Sequence, residues 1–123
     1  MKRSLLPLAL FLFVSCTVTP STISDRLFCG MSIPDGGVVT DAEVETFLTE
    51  VVEPRFPDGF TVWRARGAWQ GGREDTLVIE IVHRNDPEKD RRMREIASIY
   101  RERFRQESVL RVTTAATMQF VRR

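Results

Sequence analysis

The sequence predicts an α+β domain of the ferredoxin-like βαββαβ kind, a four-stranded antiparallel sheet with two helices on one face. Three observations carry this. Residues 76–83, Thr-Leu-Val-Ile-Glu-Ile-Val-His, are apolar on nearly both faces of an alternating strand, the mark of a central position in a sheet. Residues 26–33 share that character. Two amphipathic helical stretches fall between the strands, giving the order strand, helix, strand, strand, helix, strand. Right-handed crossovers then put the first and third strands at the centre and the second and fourth at the edges.

The chain opens on an address. Lys2 and Arg3 precede an apolar run from Leu5 to Val14, too short to span a bilayer and laid out like a secretory signal. It ends in Val14-Ser15-Cys16, which resembles a bacterial lipoprotein signal with Cys16 as the lipidated residue. Residues 1–16 are therefore expected to be a signal, 17–24 a flexible tether of small polar residues with a proline, and 25–123 one domain. This places the protein outside the cytoplasm, in the periplasm or at the cell surface, with the membrane as a partner through the anchor. The alternative is an ordinary cleaved signal, and a retained, unlipidated Cys16 leaves a disulfide to Cys29 open. With Cys16 lipidated, Cys29 is expected to be buried as a small hydrophobe.

The domain follows in order. Gly30 in the first strand marks a close backbone approach or a bulge, and the turn residues 34–37 end that strand. Thr40-Asp41-Ala42-Glu43 is a capping box. Val44, Phe47, Leu48, Val51 and Val52 then form one helical face, which Pro54 closes. The second strand runs over residues 60–69, with Phe60 and Val62 on one face and Trp63, Ala65, Gly67 and Trp69 on the other. A hairpin loop at 70–74 leads into the central strand. Asp86 with Pro87 opens the second helix, whose buried face is Met93, Ile96, Ala97, Tyr100 and Phe104. Residues 108–120 alternate as the last strand.

Charge excludes one class of function. The chain has 18 basic and 17 acidic residues. Without Lys2 and Arg3 the balance is 16 against 17, which argues against a nucleic-acid partner. The arginines of the second helix are interleaved with acids and read as a solvated, salt-bridged face, with Glu88–Arg92 and Asp90–Arg94 at favourable spacing. One histidine and one remaining cysteine fall short of a metal site, and no motif points to a cofactor.

The sheet face without helices is the first place to seek a site. Val78, Glu80 and Val82 are expected there, with Arg111 on the fourth strand, although the first strand separates Glu80 from Arg111. Such a face suits a ligand platform or a homodimer of stacked sheets, and equally a wet surface without a role. Trp63 and Trp69 suit stacking on a sugar or an aromatic ligand, while edge-strand packing or dimer contact is their commoner use. A second candidate is a pocket around Tyr100, Gln106, Ser108 and Arg111 that would serve a small enzyme, against a helix-to-strand turn satisfying its own backbone. His83, the lone histidine at the end of the third strand, is a binding candidate that would contribute to that pocket, although a histidine there is more often structural or on the surface and no nucleophile stands at catalytic spacing. No catalytic residue is assigned.

Three stretches carry a resemblance: Phe28 to Ile33, Arg55-Phe56-Pro57-Asp58-Gly59-Phe60-Thr61-Val62, and Tyr100 through Phe104 to Gln106-Glu107-Ser108-Val109-Leu110-Arg111. In them the chain resembles the bacterial domain-of-unknown-function family 3574, over about Leu27 to Phe120. The resemblance implies a small exported protein, often a lipoprotein, and implies no activity or site residues.

Overall fold

A computed structural model describes Lys2 and residues 15–123. The signal assigned to residues 1–16 lies almost entirely outside the described residues. The elements are β1 (Thr22–Gly30), α1 (Asp41–Phe47), β2 (Thr61–Trp69), β3 (Gly72–Arg84), α2 (Pro87–Arg103) and β4 (Leu110–Ala115). The sheet is antiparallel in the order β2-β3-β1-β4. This is the expected plait, with the two doubly apolar strands at its centre.

Each helix starts as its sequence dictates. Thr40 Oγ1 accepts from the Glu43 N–H, and the Glu43 carboxylate accepts from the Thr40 N–H, so the capping box is complete. Asp86 accepts from the Lys89 N–H ahead of Pro87. The apolar face of α1 continues past Phe47 into a π-helical turn, Leu48–Val52, in which the Glu53 N–H donates to the Leu48 carbonyl. Pro54 has no N–H to carry the helix further. On the outer side of α2, Arg92 pairs with Glu88 and Arg94 with Asp90, as the spacing predicts.

The core lies between the helices and one sheet face. Leu27 and Cys29 from β1 and Leu77, Ile79 and Ile81 from β3 meet Phe47, Met93, Ile96 and Tyr100 from the helices, each at most 2% exposed. Phe47, Tyr100 and Phe104 form an aromatic cluster with ring centroids 4.7–6.1 Å apart, a range in which edge-on and tilted pairs attract.

Several boundaries differ from the sequence reading, β1 ending at Gly30 rather than 33 and β4 beginning at Leu110 rather than 108. β1 begins at Thr22, inside the expected tether, because Ile23 is buried and pairs with His83 and Ala115. The hairpin loop shrinks to Gln70 and Gly71, both at positive φ (46° and 81°), the geometry of a two-residue hairpin turn; β3 therefore starts at Gly72 and takes in Glu74. β4 stops at Ala115 rather than 120. Its neighbour β1 starts at Thr22, so the alternating residues after Ala116 have no strand to pair with.

Candidate functional site

Register fixes which side chains share the open face. Phe28 and Trp63 lie directly across from Val78, and Arg26 and Thr61 across from Glu80. Val78, flanked by Phe28 and Trp63, is only 1% exposed although no helix covers it. Trp63, Trp69, Val82 and Leu110 stay 39–59% exposed. Glu80 accepts from Ser24 and pairs with Arg26. Its charge is therefore met within the face.

At one end of this face lies a pocket of about 450 Å³. Phe28, Ile33, Pro34, Trp69 and Leu110 give it apolar walls, and Glu74, Thr76, Gln106 and Ser108 give it polar ones. Its floor is Gly30. A Cβ built there would lie 2.8 Å from Gln106 Oε1 and 3.0 and 3.1 Å from the two Glu74 carboxylate oxygens. The close approach expected at Gly30 is thus a convergence of three acceptor oxygens.

Local structure places both side chains. Arg105 takes a left-handed turn (φ 50°) after α2, and the Gln106 N–H closes on the Arg101 carbonyl. Gln106 Nε2 donates to the Ser32 and Phe104 carbonyls, at 2.8 and 3.0 Å. With its donors used, Oε1 is left to face Gly30. Glu74, on the overhang of the β2–β3 hairpin, is half-buried and enters no ion pair with a described residue. Three acceptors without a donor between them attract a cation or an N–H-bearing group.

The residues expected to form a pocket divide. Trp69, Gln106 and Ser108 line it. Tyr100 lies beneath it in the core, fully buried, with its hydroxyl donating to the Gly30 carbonyl at 2.8 Å. Burial, with Cys29 and Glu74 nearby, pushes its phenol up, so it holds the floor and offers no proton at neutral pH. Trp63 and Glu80 sit elsewhere on the open face.

Arg111 is a correction. It lies across from Leu27, on the helix side of the sheet. There it grips Asp25 with Nε and Nη2 at 2.9 and 2.8 Å and reaches Asp90 of α2 at 2.7 Å. Asp25 is wholly buried, and Thr113 and His83 also donate to it. Burial pushes the Asp25 carboxyl up, but the hydrogen bonds from Arg111, Thr113 and His83 outweigh it and hold the group below the ordinary carboxylate range. Apolar Leu110 and Val112 make the opposite facing look right in sequence. The buried carboxylate decides otherwise, because it needs a counter-charge. His83 is buried, and its Nδ1 contacts the Arg84 carbonyl at 2.7 Å. Both ring nitrogens are occupied, which makes the residue structural.

Sequence reasoning missed Glu74, assigned to a loop, and Phe28. The signal that pointed towards them was Gly30, a glycine where a central strand has no other use for one.

A comparison with curated proteins finds no match. Among solved structures, a phage SAM lyase in complex with S-methyl-5′-thioadenosine has a similar fold. Its TM-score is 0.55 at 19% identity, covering 80% of this chain and 84% of the lyase. A phage SAM lyase in the apo state gives a TM-score of 0.53 at 20% identity, over 75% of this chain and 78% of the lyase. At these identities the likeness is one of fold. A family profile described as "Protein of unknown function (DUF3574)" matches residues 24–120, nearly the whole folded part, and the chain belongs to that family.

Proposed function

We propose that the protein binds a small organic cation bearing a flat ring in the open-face pocket. The observation that carries this is the set of three acceptor oxygens, from Glu74 and Gln106, above Gly30 and beside Trp69. The indole offers a face for a ring or a cation, and the carboxylate offers the counter-charge. The fold likeness to SAM lyases supports the choice of probes: S-adenosylmethionine (SAM), a sulfonium, and S-methyl-5′-thioadenosine, its neutral thioether counterpart.

The test is titration of the full chain by calorimetry and tryptophan fluorescence. SAM is expected to bind more tightly than the thioether, and Glu74→Gln to remove most of that preference, on the order of tenfold. Trp69→Ala weakens both. Absence of binding by either probe at millimolar concentration, or indifference to Glu74→Gln, overturns the reading. Turnover of SAM to S-methyl-5′-thioadenosine, lost in Glu74→Gln, would make the site that of a small enzyme with Glu74 as the residue that holds the sulfonium. The substrate's own carboxylate would then close on the carbon bound to sulfur, so that the four-carbon fragment leaves as its lactone.

A second reading seats a second copy of the chain on the same face. It is favoured by exposed Trp63, Val82 and Leu110 around the Arg26–Glu80 pair, since one charge of each sign is self-complementary across a twofold axis. Light scattering would show a dimer that Trp63→Glu dissociates; a monomer at all concentrations rejects it. The proposed setting for either reading is an envelope membrane, with lipidated Cys16 as the anchor. Intact mass of the membrane-purified protein decides this: a diacyl or triacyl adduct on Cys16 supports it, and an unmodified mass does not.

A further inference from the structure

The β2–β3 hairpin extends past the end of β1, and its helix-side surface bounds a second cavity of about 570 Å³. Met31 and Val39, both buried, line its inner side; Arg64, Arg66 and Arg73 line its rim. The loop between β1 and α1 is fixed against it, since the Met31 N–H donates to the Asp75 carbonyl and the Val39 N–H to the Met31 carbonyl.

Charge on this rim is unbalanced. Arg64 is paired with Asp41, and Asp75 lies across the ladder from Arg66. Three arginines against these two aspartates leave one positive charge, and neither Arg66 nor Arg73 enters an ion pair with a described residue. The carboxylate of Glu74 does not offset it, because it lies over Gly30 on the other face of the sheet.

The two cavities are neighbours. Ser32, Gly67, Ala68 and Glu74 line both. A ligand occupying both would meet acceptors at one end and guanidinium groups at the other. Guanidinium forks match carboxylates in geometry, and one net positive charge matches a single carboxylate better than a phosphate dianion. We propose that the arginine-lined cavity is a carboxylate subsite for the ligand held at Glu74 and Gln106, so that the protein recognises a zwitterion. This rests on the ligand reading above.

The experiment uses the full chain and three probes: SAM, its decarboxylated form, and S-methyl-5′-thioadenosine. Arg73→Gln and Arg66→Gln are compared with the parent, with melting temperature as the control for folding. The wild type is expected to bind SAM more tightly than decarboxylated SAM. Arg73→Gln should weaken SAM roughly tenfold and leave the other two probes unchanged, with partial rescue by Arg73→Lys. Equal loss for SAM and its decarboxylated form, or no loss in either arginine variant, overturns the subsite. If decarboxylated SAM still binds through Glu74 in that case, more tightly than the thioether, the ligand reading stands alone. If no probe binds the wild type, the ligand reading has failed and the subsite falls with it.

Discussion

Arg111→Met tests the buried carboxylate at the centre of the helix-side polar cluster. Asp25 has no solvent exposure and four side-chain hydrogen bonds, two of them from Arg111. Removing the guanidinium leaves a buried charge with Thr113 and His83 as its remaining donors. Breaking a buried pair from one side costs about 3–5 kcal/mol. The remaining donors and the 22% exposure of Arg111 place the expectation near the lower end, about 3 kcal/mol. The double variant Asp25→Leu with Arg111→Met leaves no unpaired charge between the two positions, so it should cost less than the sum of the single changes by about 2 kcal/mol. Urea unfolding with matched m-values measures each. Acid adds a second readout. A carboxyl held below its ordinary value of 3.8 stabilises the fold fully above that pH, and the contribution disappears as pH falls through the folded value. The advantage of the wild type over Asp25→Asn should therefore be flat from neutrality to about pH 5 and shrink below 3.8. A cost below about 1 kcal/mol for Arg111→Met, or additivity of the pair, refutes the reasoning.

Three further outcomes are expected. Cys29 is buried, and burial pushes its thiol up to about 12, so it should resist a disulfide reagent at pH 8 until the chain is unfolded; reaction at native rates like those of a free thiol would show the strand to be open. Gly30→Ala puts a methyl against Gln106 and Glu74. Because both are side chains, melting should show a loss of only about 1 kcal/mol while probe binding is abolished; full binding in this variant would dissociate the site from its floor. Thr40→Ala removes the capping hydroxyl of α1 and should cost about 1 kcal/mol by urea unfolding, with probe affinity unchanged.

The sequence by itself determined the topology, because periodicity and caps are local. The alternation of residues 76–83, the Thr40–Glu43 box and the Asp86-Pro87 start each specify an element without reference to any other. Right-handed crossovers then favour the first and third strands at the centre. Gly30 even marked where the site lies, since a glycine in a central strand signals something pressing on the backbone. What that something is, only the tertiary structure decided. Glu74 and Gln106 are 32 positions apart and meet because the hairpin turn is two residues long and Arg105 turns left-handed. Arg111 faces inward against the pattern of its own strand because Asp25, 86 residues away, is buried and needs its charge. Facing on an edge strand follows the partner across the ladder, and a buried carboxylate outweighs the alternation of two half-exposed apolar residues.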